Sequence, residues 1–82
     1  MIIVERVYRN DVLVSGDKWD PELVHPDNKD VDPTWIVKDD LRRLRASCPD
    51  WNILNFEFGD LESSITYRDT ENQTIKYVYQ KG

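Results

Sequence analysis

Residues 32–49 read DPTWIVKDDLRRLRASCP, and this stretch decides the fold. Asp32 followed by Pro33 is a helix entrance. An Asp side chain at the N-cap accepts an otherwise unpaired amide of the first turn, and proline at the first helical position has no amide to leave unpaired. Val37, Leu41, Leu44 and Cys48 then recur at helical spacing, which puts them on one stripe facing a core. Pro49 stops the element, because it cannot continue the hydrogen-bond ladder and biases Cys48 away from helical backbone. The expected helix runs from about Pro33 to about Ser47.

Beyond it the period changes to two. Leu54, Phe56 and Phe58 alternate with polar neighbours, Gly59-Asp60 turns, Ile65 and Tyr67 alternate again, Asp69 to Gln73 turns, and Ile75, Tyr77 and Tyr79 complete a third run. An antiparallel meander is expected, with Phe56, Phe58, Tyr67, Tyr77 and Tyr79 on the face the helix covers. Upstream, Ile2 to Tyr8 and Val12 to Ser15 flank Asn10-Asp11, a hairpin signal. Ile3 and Val7 share one side of it; Ile2, Val4 and Tyr8 share the other. The fold class is α+β: a single domain over residues 1–82, ordered β-β-(long acidic loop)-α-β-β-β, an antiparallel sheet with one helix packed on one face.

The 82 residues allow one core and little spare stability. A catalytic cleft carved from so thin a core would remove much of what holds it together, so the expectation is a protein without enzymatic activity. The longest apolar run, Met1 to Val4, is too short for a spanning helix or a signal-peptide core. With Cys48 the single cysteine, no internal disulfide can form, and a reducing cytoplasm is the expected setting. The net charge of −5 repels phosphate backbones and anionic lipid. Direct nucleic-acid or membrane binding is therefore not expected, whereas a basic protein surface would be attracted.

The charge is not evenly spread. Residues 1–16, 41–60 and 61–82 each balance to zero, so the net charge lies in residues 17–40, where eight acids face three lysines. Within it, residues 17–33 hold Pro21, Pro26 and Pro33 and no periodicity, and read as an acidic loop longer than loops usually run in compact domains. Asp20-Pro21 is a weaker helix entrance, compatible with one turn through Val24. Trp19, Trp35 and Trp51 share a spacing of sixteen, but their flanks do not repeat.

A charged loop is, in the plainer reading, solvated surface. The sharper reading makes it a docking lobe, with prolines that limit the entropy lost on binding. On a helical wheel Trp35 lies away from the apolar stripe, beside Asp39, where an exposed indole would serve as an interface anchor. The competing expectation is that the loop folds back, so that Trp19 or Leu23 covers Trp35. The residues assigned to partner binding are Asp17, Trp19, Asp20, Glu22, Asp27, Asp30, Asp32, Trp35 and Asp39.

Other chemistry finds less support. His25 lies among carboxylates that favour its charged form, but one His and one distant Cys cannot build a zinc site. The run Asp27 to Asp32 lacks the glycine and the terminal glutamate of a calcium loop, and would give Asp27, Asp30 and Asp32 at most an adventitious Ca²⁺. No metal or cofactor is expected. Cys48 at a helix C-terminus is disfavoured as a thiolate and reads as a small core residue. Asp39 and Asp40 point about 100° apart on a helix, so they are expected not to share a site. Asp39 precedes Arg42 and Arg43 by three and four residues, the spacing of ordinary helical ion pairs. Arg42, Arg43 and Arg45 are too few for a phosphate track, and no glycine-rich loop is present.

The expected function is a small acidic protein-binding module, an inhibitor in one form, that docks its loop and nearby Trp residues on a basic site of another protein. Were that site one that normally holds nucleic acid, the carboxylates would stand in for phosphates. Small acidic phage-encoded antagonists of DNA-handling enzymes share this size and charge, an analogy of composition only. The alternative is an assembly subunit, a homo-oligomer formed through a strand edge or the Tyr-rich sheet face.

Overall fold

The chain first reverses at Asn10-Asp11, where both residues take left-handed backbone (φ 49° and 68°). That conformation matches the twist of a two-residue hairpin, and Asn and Asp tolerate it better than most side chains. In the computed structural model, which describes residues 1–82, this turn joins β1 (Ile3–Arg9) to β2 (Val12–Trp19). Asn10 also fastens the turn to the far end of the chain, since its amide donates to the Thr74 carbonyl and its Oδ1 accepts from the Thr74 amide. β2 continues past Ser15 to Trp19. Gly16 ends the apolar pattern in the sequence, but pairing with β1, which sets Asp17 opposite Glu5 and Trp19 opposite Ile3, carries the strand on.

A single helical turn, α1 (Pro21–Val24), follows, capped by Asp20. The main helix, α2 (Pro33–Ser47), has its expected bounds, with Asp32 Oδ1 accepting the Trp35 amide at 2.8 Å and Cys48 at the C-cap. The meander β3 (Asn52–Glu57), β4 (Glu62–Arg68) and β5 (Thr74–Lys81) completes the chain. The five strands form one antiparallel sheet in the order β2-β1-β5-β4-β3. β1 thus pairs with β5, and the amide of Gly82 donates to the carbonyl of Ile2. The α+β arrangement with one main helix on one sheet face is the architecture of the protein.

The helix-facing side carries Ile3, Glu5 and Val7 of β1, Tyr77 and Tyr79 of β5, and Ile65 and Tyr67 of β4, as strand alternation and register require. The core joins Ile3, Val31, Ile36, Val37, Leu41, Ile65 and Tyr79. Two members depart from the expected stripe. Ile36, beside Val37 on α2, is buried, and Val31 brings the acidic loop down onto the core with 2% of its surface exposed. Leu44 and Cys48 are only half-buried, because the buried positions of α2 lie in its first nine residues, and its second half rises over an open groove. Cys48 is therefore a groove-lining residue and not a core residue.

Strand β3 amends the expected pattern in part: Phe56 lies opposite Ile65 and keeps the helix-facing side, and Lys38 of α2 lies over the Phe58 ring, but Leu54 falls out of step. The register of β3 shifts between Ile53 and Asn55, which breaks the strict alternation of Leu54, Phe56 and Phe58. All three stay between 44% and 46% exposed on the edge of the sheet. Tyr67, Tyr77 and Tyr79 keep their places, and Trp51 continues their row. No helix is long and apolar enough to cross a membrane.

Candidate functional site

The row is a stack. Trp51 lies 5.0 Å from Tyr67, Tyr67 is 6.1 Å from Tyr77 and Tyr77 is 6.2 Å from Tyr79, with successive ring planes within 16° of parallel. These rings line one side of a groove of about 440 Å³, and the other side is α2 from Asp40 to Cys48. Leu44 and Ile65 add apolar surface, and Glu5 of β1 stands at the end nearest Asp40.

Polar groups collect at that end. Tyr79 donates its hydroxyl proton to Asp40 Oδ2, and Arg43 grips both Asp40 and Asp39, the latter through Nε at 3.2 Å. Arg42 also binds Asp39. Asp39 and Asp40 therefore form the ordinary helical pairs, but Arg43 links them and both line a second cavity, of about 360 Å³. The 100° between them is spanned by one long guanidinium side chain. Glu5 has no cation within ion-pair distance: the ion pairs of the chain all lie inside α2. Burial pushes its carboxyl above the usual range, and the charges of Asp40 and Asp17 push it the same way, opposed by the neighbouring Tyr79 hydroxyl. Burial likewise pushes the Tyr79 hydroxyl far up, with Asp40 adding to the effect, so the phenol stays protonated and donates.

The second cavity adjoins the first and shares Glu5, Asp40, Arg43 and Tyr79 with it. Its remaining lining brings Asp17, Trp19, Trp35 and Asp39 together around His25. The imidazole meets both indoles edge-on, 6.4 Å from Trp19 and 5.1 Å from Trp35. Trp35 is thus not a free anchor. The loop folds back over it, using His25 in place of Leu23, which is 81% exposed, and both indoles pack against the core.

Comparison with models of protein families, with curated proteins and with solved structures finds no match to this chain. Its chemistry must be read from its own side chains.

The structure divides the nine residues assigned to partner binding. Asp17, Trp19, Trp35 and Asp39 surround one cavity. Asp20 and Asp32 cap α1 and α2, with Asp20 Oδ1 accepting the Glu22 amide at 2.9 Å. Glu22 on α1, and Asp27 and Asp30 on the loop between the helices, are exposed and line none of this cavity. Asp17 spends one oxygen on the Lys18 amide at 2.8 Å, and Asn28 holds the Asp30 amide. No three His, Cys, Asp or Glu side chains converge as metal ligands would.

Sequence reading missed Glu5, Asp40, Tyr77, Tyr79 and Trp51 as site residues. One signal was available: Glu5 alternates with Ile3 and Val7, a carboxylate on the face that a helix must cover.

Proposed function

We propose that the protein is a non-enzymatic binding module whose acidic pole docks on a basic surface of another protein. The observation that carries this reading is that Asp17, Asp20, Glu22, Asp27, Asp30 and Asp32 have no lysine or arginine of their own chain within ion-pair distance. Their charge is therefore available to an outside cation, and the encounter is steered by long-range attraction that salt screens. Val31 supports the reading from below, because its burial anchors the loop and reduces the ordering cost of binding. Trp19 and Trp35 act as the loop's internal support and present only part of their indoles. Binding to a partner's nucleic-acid site, with carboxylates in the places of phosphates, would make the protein an inhibitor.

The test is affinity capture at two salt concentrations with the native chain and with a chain carrying Asp20→Asn, Glu22→Gln, Asp27→Asn and Asp30→Asn. A partner retained by the native chain at low salt and lost by the variant is expected. The same partner recovered by both chains with the same salt response overturns the reading.

A second reading, self-association, draws on the half-exposed Leu54, Phe56 and Phe58 beside the open edge of β3. Sedimentation distinguishes them: a stable homo-oligomer disrupted by Phe56→Lys favours assembly, and a monomer favours a heterologous partner.

A further inference from the structure

The acidic pole does not end at the loop. Through Glu5 and Asp40 it runs into the aromatic groove, where Glu5, a carboxylate without a cation, meets a lining of tyrosine, tryptophan, leucine and isoleucine side chains. These two features select the same kind of occupant. A carboxylate attracts a cation, and an apolar lining favours one that is flat and weakly hydrated, which an arginine guanidinium is and a lysine ammonium is not.

We infer that the groove between the second half of α2 and the sheet receives an arginine side chain from a basic segment of the partner, its guanidinium on Glu5 and its stem along Tyr77. The inference rests on the docking reading above and adds to it the partner's chemistry at one position. The chain's own Arg43 does not fill this role. It is held on the helix side by Asp39 and Asp40, so Asp40 is already paired and Glu5 is the carboxylate left without a cation. Glu5 is well placed to accept: it is half-buried, which limits screening by water, and it lies on a strand whose backbone is paired on both sides. Tyr77 is half-buried, and its ring is flanked by Tyr67 and Tyr79 and so pre-ordered before anything binds.

The test uses the full chain and three capped tripeptides, Gly-Arg-Gly, Gly-Lys-Gly and Gly-citrulline-Gly, citrulline being the uncharged analogue of arginine. Titrations are followed by NMR at the Glu5 backbone N–H and the Tyr77 ring. The arginine peptide is expected to shift both, with the lysine peptide several-fold weaker and the citrulline peptide at least tenfold weaker. Glu5→Gln, whose fold is checked by its amide spectrum, is expected to weaken the arginine peptide at least fivefold. Equal shifts from arginine and citrulline, or unchanged affinity in Glu5→Gln, overturn the inference. The chain with four loop carboxylates neutralised separates the two ideas. Arginine shifts retained in that chain while partner capture is lost support both the groove and the docking lobe. Salt-dependent capture by the native chain without arginine shifts leaves the lobe standing and removes the groove.

Discussion

The Tyr79 hydroxyl donates to Asp40 Oδ2 across the sheet–helix interface, joining β5 to α2 at a point where the ring itself is 4% exposed. Asp40 then passes the connection to Arg43. One phenol therefore links the central strand, the helix and the rim of the groove. Tyr79→Phe removes the donor and keeps the packing. A hydrogen bond to a charged group contributes about 1.5–3 kcal/mol, and the partial exposure of Asp40 places the expected loss at the low end of that range. In a domain of this size each kcal/mol lowers Tm by about 4–8 °C. Thermal and urea unfolding of the variant measure it, and an unchanged midpoint would show that water replaces the bond at no cost.

Glu5 sets a pH dependence with a definite sign. Burial first, then the charges of Asp40 and Asp17, holds its carboxyl above the ordinary 4.5, so the folded chain binds this proton more readily than the unfolded one. The stability contributed by protonated Glu5 is fully present below that ordinary value and is lost as the pH rises through the higher folded value. Glu5→Gln is expected to raise Tm at neutral pH, with a gain that shrinks as the pH falls toward the ordinary carboxylate range. Melts of both chains across that range test it, and a gain independent of pH would assign the effect to packing.

The two aspartate caps differ in consequence. Asp32 starts a helix of fifteen residues that packs on the core, and Asp32→Ala is expected to cost about 1 kcal/mol of global stability. Asp20 starts a helix of four residues, in which only Pro21 is buried. Asp20→Ala is expected to loosen that turn and leave the urea midpoint nearly unchanged. Equal losses from the two substitutions would show that α1 unfolds together with the whole domain.

Val31 is the loop's attachment to the core. Val31→Ala removes apolar surface that is almost wholly buried, and the expected loss is about 2 kcal/mol. The local effect is the more telling one: hydrogen exchange should accelerate across residues 20–32 more than in β4 and β5. Uniform acceleration would show that the loop and sheet open as one unit.

How much of this was legible follows from the range of each interaction. The bounds of α2 were, because Asp32, Pro33 and Pro49 act on backbone within a few residues of themselves. The strands were legible as strands, apart from the extension of β2 to Trp19 and the shift in β3, both of which depend on the neighbouring strand. The order of strands was not, since alternation tells which face a side chain takes and is silent on which strand lies beside it. The acidic pole was visible as charge density along the chain. The groove was not, because Glu5, Asp40 and Tyr79 come from three elements, and only the pairing of β1 with β5 under α2 brings them together. Trp35 was legible in part: the return of the loop over it was one of the two expectations, but a helical wheel shows only which way a side chain leaves the helix and is silent on His25 as the residue that meets it.

The pairing of the first strand with the last has a kinetic side. The β3-β4-β5 meander closes over short turns, whereas β1 must find β5 with the whole intervening chain already made, the most demanding closure in the topology. Until it does, the edge of β5 that β1 will occupy is open, and Glu5 is distant from Asp40 and Tyr79. The acidic end of the groove is thus assembled by the same event that seals the sheet, and a chain in which Glu5, Asp40 and Tyr79 have met is a chain that has finished folding.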